Sequence, residues 1–179
     1  ILEGADLEVT ARRILWGKSL NAGQTCLAPN HLIIHEKIKD LFLKKLRKEL
    51  LNFYGENPLE SPDLAQIINK NHFSRLIKLI ERARNNKQII FGGDINKENN
   101  LITPTICNVS SKDDPLLSEE LFGPLLPILS FSNFPEIISQ IQSDPSPLAI
   151  YMFGGTSEER ELLVRKTRSG GICFNDVIM

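Results

Sequence analysis

Short apolar runs of strand length alternate along this chain with longer segments whose apolar residues recur every three to four positions, and few folds satisfy that alternation. Leu32-Ile33-Ile34, Gln88 to Phe91, Leu125 to Phe131, Ala149 to Phe153 and Gly171 to Phe174 read as strands. Between them, Leu7, Ala11, Ile14, Leu15 and Trp16 put an apolar stripe on a helix from Ala5 to Leu20, with Asp6 near its start and Asn21-Ala22-Gly23 at its end. Ile38, Leu41, Phe42, Leu46 and Leu50 do the same for a second helix. Ile67, Ile68, Leu76, Ile77 and Ile80 mark a third, after the breakers Pro58, Pro62 and Asp63. A fourth spans Pro135 to Gln142. A fifth, Glu158 to Thr167, carries a capping box in which the Thr156 hydroxyl and the Glu159 carboxylate each satisfy the other's free backbone N–H.

Strands joined by helices of roughly ten residues or more require right-handed crossovers and a sheet covered on both faces. The expected fold is an α/β, three-layer domain: a largely parallel sheet flanked by helices. Ligands in such sheets are expected at the carboxyl ends of the strands. Leu101 to Val109 reads as extended, broken by Pro104. Ser110 to Pro124 is a loop longer than most connections, of the kind that carries function. With 179 residues the chain has room for one domain with a real core.

Charge excludes two classes of partner. The 21 Lys+Arg are balanced by 22 Asp+Glu, so neither nucleic acid nor an anionic membrane surface is expected. The basic face of the second helix (Lys37, Lys39, Lys44, Lys45, Arg47, Lys48) is interleaved with Glu36, Asp40 and Glu49 and reads as solvated. The longest apolar run, Leu148 to Phe153, is far short of the roughly 20 residues of a membrane-spanning helix. The cysteines Cys26, Cys107 and Cys173 have neither disulfide-framework nor zinc spacing, so no metal is expected and a reducing, cytoplasmic location fits. Ile1 in place of an initiator Met, and Met179 with no closing helix before it, lead us to expect a chain cut from a longer polypeptide at both ends.

The segment Asn21-Ala22-Gly23-Gln24-Thr25-Cys26 carries the most chemistry, because it sets a cysteine after a glycine turn at a helix end, where a thiol can be exposed. Most cysteines are buried as small hydrophobes; a nucleophilic one must form a thiolate, through a lowered pKa or a nearby base. His31 and His35 are the nearest imidazoles in sequence, which leaves a Cys-His hydrolase open as an alternative. Glu119 and Glu120 after Ser118 fit either an acidic helix start or a binding loop. Cys107 and Cys173 read as structural thiols, and His72 as a surface residue of the third helix.

Gly23-Gln24-Thr25-Cys26-Leu27-Ala28-Pro29 resembles the nucleophile motif of the aldehyde dehydrogenases, and Ala11-Arg12-Arg13-Ile14-Leu15-Trp16-Gly17-Lys18 resembles the class 3 branch, which acts on fatty or aromatic aldehydes. Ser118-Glu119-Glu120-Leu121-Phe122-Gly123-Pro124 is similar to that family's E-E-x-F-G-P loop. Ser169-Gly170-Gly171-Ile172-Cys173-Phe174-Asn175-Asp176 resembles the segment that lines the substrate side of the family's site, which makes Asn175 a substrate-side candidate. The resemblance covers nearly the whole chain. It implies oxidation of a small-molecule aldehyde to a carboxylic acid with NAD or NADP, through a thiohemiacetal and then a thioester on Cys26. The Cys26 backbone N–H would help hold the oxyanion, Glu120 would bind the nicotinamide ribose, and Phe122 would pack near the nicotinamide. In the full-length protein it implies a homodimer.

Other family parts are missing from this sequence. There is no upstream glycine-rich nucleotide-binding domain, no E-L-G-G-type segment with the general base, and no P-F-G-G segment. Residues 1–179 therefore correspond to a nucleophile-bearing catalytic domain truncated at both ends, expected to have little activity by itself. Two alternatives remain: an acylating enzyme or acid reductase that passes the acyl group to coenzyme A or phosphate, and a non-catalytic remnant acting as a binding module.

Overall fold

A computed structural model describes residues 1–178. Its helices are α1 (Leu7–Ser19), α2 (Glu36–Tyr54), α3 (Lys70–Asn85), α4 (Phe134–Ser143) and α5 (Ser157–Lys166). Its strands are β1 (Leu32–His35), β2 (Ile89–Phe91), β3 (Ile95–Asn96), β4 (Leu101–Ile102), β5 (Thr105–Val109), β6 (Leu125–Phe131), β7 (Ala149–Met152) and β8 (Gly171–Phe174). The main sheet has the order β1-β6-β5-β2. β1, β6 and β5 are parallel, and β2 closes the edge antiparallel to β5. β7 and β8 form a separate parallel pair, and β3 and β4 an antiparallel one. The Ile1-Leu2 segment joins the first two sheets: the His35 N–H donates to the Ile1 carbonyl and the Leu2 N–H to the Phe153 carbonyl, both at 2.9 Å.

The layers follow from the period-two alternation of β6, which is buried on both faces, as a central parallel strand must be. Leu126 and Ile128 face one way and pack with Ile34, Ile106, Ile14, Leu15, Phe42 and Leu46, so α1 and α2 cover that side. Leu125 and Leu129 face the other way and pack with Cys107, Val109, Leu76 and Ile80, which places α3 opposite. α4 and α5 cover the β7–β8 pair through Phe134, Ile138 and Leu163. The three-layer α/β arrangement thus stands as expected.

Local sequence sets most boundaries. Asp6 caps α1, its carboxylate accepting from the Glu8 and Val9 N–H groups at 3.1 Å, and Thr156 and Glu159 form the reciprocal box at the start of α5. The third helix departs from its reading. Asn69 caps it through the His72 N–H, so Ile67 and Ile68 lie before α3 and not on its stripe. Ile67 is buried and its N–H bonds the Asn100 carbonyl, whereas Ile68 is 77 % exposed. Two adjacent apolar residues point in opposite directions there, which is extended and not helical behaviour. The basic face of α2 is solvated, with Lys45 and Lys48 paired to Glu8 of α1.

Because Leu126 is fully buried in the central strand, Leu126→Ala should destabilise the fold by about 2–5 kcal/mol. Urea unfolding followed by far-UV circular dichroism measures it, and a loss below about 1 kcal/mol would mean that the strand is not central.

Candidate active site

α1 stops because the chain turns left-handed: Asn21 and Ala22 have φ of 50° and 54°, and Gly23 follows at 73°. For residues with a Cβ this conformation is unfavourable and needs support from outside. Gln24 supplies it. Its side-chain amide donates to the Asn21 carbonyl at 2.9 Å and the Gln66 carbonyl at 3.0 Å, while its Oε1 accepts from the Ile68 N–H at 2.9 Å. Cys26 lies two residues beyond and is exposed.

The loop before β6 is pressed against this turn. A Cβ on Gly23 would stand 2.5 Å from the Gly123 carbonyl oxygen, so no side chain fits between them. The Leu121 N–H donates to Asn30 Oδ1 at 2.8 Å, which ties the loop to the segment that carries Cys26. The stretch after β8 closes a third side. A Cβ on Gly17 would meet Val177 Cγ2 at 2.6 Å and Pro29 Cδ at 3.4 Å, and the Tyr151 hydroxyl donates to the Leu27 carbonyl at 2.8 Å. The three motif segments therefore converge.

They converge at an unexpected end of the sheet. The Cys26 loop leads into β1 and the Glu119–Pro124 loop into β6, and β1 and β6 are parallel neighbours. Both loops thus sit at the amino ends of the strands, where the general pattern for parallel sheets points to the carboxyl ends. That pattern applies to loops leaving strands, and here the entering loops carry the side chains.

Glu120 is exposed and has no ion-pair partner among the described residues, whereas Glu119 pairs with Arg75 at 3.0 Å. Neither begins a helix. Phe122 is half-buried with φ 49°. Asn175 is half-buried just past β8; its Oδ1 accepts from the Gly154 N–H at 3.0 Å, and its N–H donates to the Met152 carbonyl at 2.8 Å. Its amide therefore holds the β7–β8 corner together. Cys107 is buried on β5, and burial pushes its thiol up to about 12. Cys173 is half-buried and, with Leu27, Tyr151 and Ile172, lines a cleft of about 260 Å³ whose walls do not include Cys26. A comparable cleft, about 240 Å³ between Leu2, His35, Phe131 and Phe134, lies at the opposite, carboxyl ends of β1 and β6. His35 sits at that far end, accepting from the Lys37 N–H at 3.4 Å, and so is not poised beside Cys26. His72, read as a surface residue, is instead half-buried against the Phe122 loop. Among the described residues, no group of three or more His, Cys, Asp and Glu is placed to hold a metal, and no helix is long and apolar enough to cross a membrane.

One buried charge near Glu120 is absent from the sequence reading. Lys18 is only 3 % exposed, and burial lowers its pKa to about 7, partly opposed by the charge of Glu120. The signal was present: Lys18 continues the spacing of Ala11, Ile14 and Leu15, so it points inward.

Residues 1–179 match the model of the aldehyde dehydrogenase family over their whole length. The chain belongs to that family. It is 40 % identical over 173 residues to aldehyde dehydrogenase family 3 member H1 of Arabidopsis thaliana, a match that covers 96 % of this chain and 36 % of the relative. It is 38 % identical over 174 residues to the dimeric, NADP-preferring aldehyde dehydrogenase of Mus musculus, covering 97 % and 38 %. Among solved structures, the substrate-bound state of Staphylococcus aureus AldH superposes with a TM-score of 0.96 at 37 % identity, over all of this chain and 39 % of that one. This aldehyde dehydrogenase chain thus spans under two-fifths of the length of the relatives it matches.

The buried lysine gives a test with a definite sign. With a folded pKa near 7 against an ordinary 10.5, the unfolded chain binds a proton that the folded one does not between those values. Stability should therefore fall as pH drops from about 10 towards 7 and carry the full penalty below 7. Lys18→Met should remove this slope and raise stability at pH 7 by on the order of a few kcal/mol. Urea midpoints of both proteins across that range measure it.

Proposed function

We propose that residues 1–179 are the nucleophile-bearing part of an aldehyde dehydrogenase that oxidises an aldehyde to a carboxylic acid with NAD or NADP through a thioester on Cys26. The observation that carries this reading is the exposure pattern of the thiols: Cys107 is buried, Cys173 half-buried, and only Cys26 exposed, on the loop tied to Glu120 and Phe122. Its sulfur is free to add to a carbonyl carbon. The Cys26 N–H donates no hydrogen bond among the described residues, so it is available to the oxyanion that forms.

The residues present suit a nicotinamide cofactor on one side. Glu120 offers a carboxylate with no competing cation bonded to it and with solvent access, as an acceptor for a diol needs, and Phe122 holds an apolar face beside it. When bound, the cofactor supplies the hydride acceptor. Family membership and the NADP preference named for the mouse relative support this assignment. Asn175 enters on the substrate side, as the resemblance of its segment implies, from the β7–β8 corner it braces. The share of its relatives' length that the chain spans supports a nucleotide-binding part and a general base supplied by further polypeptide, and the dimeric form named for the mouse relative supports a homodimer as the assembled form.

Iodoacetamide at near-neutral pH with peptide mapping tests the reading. Cys26 should alkylate at least about tenfold faster than Cys173, with Cys107 slowest, because only an exposed thiol that reaches its thiolate reacts. Equal slow rates at all three would contradict it. In full-length enzyme, Cys26→Ala should abolish aldehyde oxidation, and activity retained in that variant would refute the assigned nucleophile.

A further inference from the structure

Among the described residues, the loop that carries Glu120 and Phe122 makes no backbone–backbone hydrogen bond between Glu119 and Gly123, yet it holds a bulky residue in left-handed backbone, with φ of 49° at Phe122. Such a conformation persists only where the surroundings over-determine it. The surroundings here are one face of α3. The His72 Nε2–H donates to the Phe122 carbonyl at 2.6 Å. The Arg75 guanidinium donates to the Leu121 carbonyl, and its other arm reaches Glu119 at 3.0 Å. Arg75 Nε lies 3.4 Å from His72 Nδ1, an arrangement in which Nδ1 accepts and Nε2 carries the hydrogen. One turn further along the same face, Leu76 fills the space where Gly123 would carry a Cβ, 2.6 Å from its Cδ1.

The two carbonyls bracket Phe122. Rotation about φ of Phe122 swings the peptide plane that contains the Leu121 carbonyl, and rotation about ψ swings the plane that contains its own. Arg75 fixes the first and His72 the second. Both are half-buried, and the His72 and Phe122 rings meet edge to face at 6.3 Å. The same guanidinium engages Glu119 and leaves the adjacent Glu120 unpaired, so the choice between two neighbouring carboxylates is made by α3.

We propose that His72 and Arg75 are positioning residues for the cofactor loop: they lock both torsions of Phe122 and hold Glu119 aside, so that Glu120 is the carboxylate presented to the ribose. This rests on the cofactor role given above to Glu120 and Phe122. Neither α3 residue touches cofactor or substrate itself.

The test uses the full-length enzyme that carries these residues, in two readouts. The first is amide hydrogen exchange at residues 121–123, without cofactor. His72→Ala and Arg75→Ala should each speed it by about tenfold or more, as loss of a half-buried hydrogen bond to a strained segment predicts. The second is steady-state kinetics. The same variants should raise KM for NAD by about tenfold with the aldehyde KM changed less than about twofold, and His72→Gln, which keeps a donor, should recover most of the loss. Glu120→Gln should raise KM for NAD strongly and Glu119→Gln only a few-fold. Unchanged loop exchange in both alanine variants would overturn the proposal. So would equal shifts in the two KM values, which a general loss of structure produces. Faster loop exchange with an unaltered KM for NAD in these variants and in Glu120→Gln would instead refute the cofactor reading, leaving the brace standing as a structural one.

Discussion

Where α1 ends, three successive residues take left-handed backbone, and the third has no room for a side chain because the Gly123 carbonyl oxygen occupies the place of its Cβ. That contact is where the two halves of the candidate site meet. It lets the chain reverse within a few residues, so that Cys26 emerges beside the Glu119–Pro124 loop and not along the axis of α1. Gln24 holds the turn from one side and Asn30 holds the loop from the other. A site assembled from loops is only as well defined as the groups that fix them, and here those groups come from α1, α3 and the entry to β1.

The sheet explains why this junction is rigid. β1, β6 and β5 are buried parallel neighbours, and the loops that enter β1 and β6 are separated by no more than a strand spacing. Leucine and isoleucine alternate across β6 to fill two cores at once, one under α1 and α2 and the other under α3. The helix that ends in the Cys26 turn and the helix that braces the Phe122 loop therefore grip the same strand from opposite faces. Lys18 stands against this order: a buried ammonium at the end of an apolar stripe destabilises the fold at neutral pH, and the charge of Glu120 offsets only part of that cost.

Much of this was legible in the sequence, and the reasons differ by feature. The capped starts of α1 and α5 rest on Asp6 and on Thr156 with Glu159, contacts within three residues that local spacing reveals. The Cys26 turn and the Glu-Glu-Leu-Phe-Gly-Pro loop stand out by residue type and motif alone. The pairing of Leu121 with Asn30, or of Phe122 with His72, spans tens of residues, and neither Asn30 nor His72 has a local signal that sets it apart from a surface polar residue. Ile67 and Ile68 were misplaced onto α3 because adjacent apolar residues fit a helical stripe, and only the cap at Asn69 separates them from it. The end of the strands at which the loops gather is not legible either, since periodicity gives strands without saying which of their connections will bear side chains of consequence.

The most direct measurement replaces Gly23 by alanine and follows two signals in one sample, amide exchange at Leu121 and the alkylation rate of Cys26. If the Cys26 turn and the Phe122 loop are one packed unit, the added methyl group must push the Gly123 carbonyl away, so exchange at Leu121 should accelerate and the reactivity of Cys26 should change in the same variant. A folded Gly23→Ala protein in which both signals match the parent would contradict the claim that the two loops form a single site.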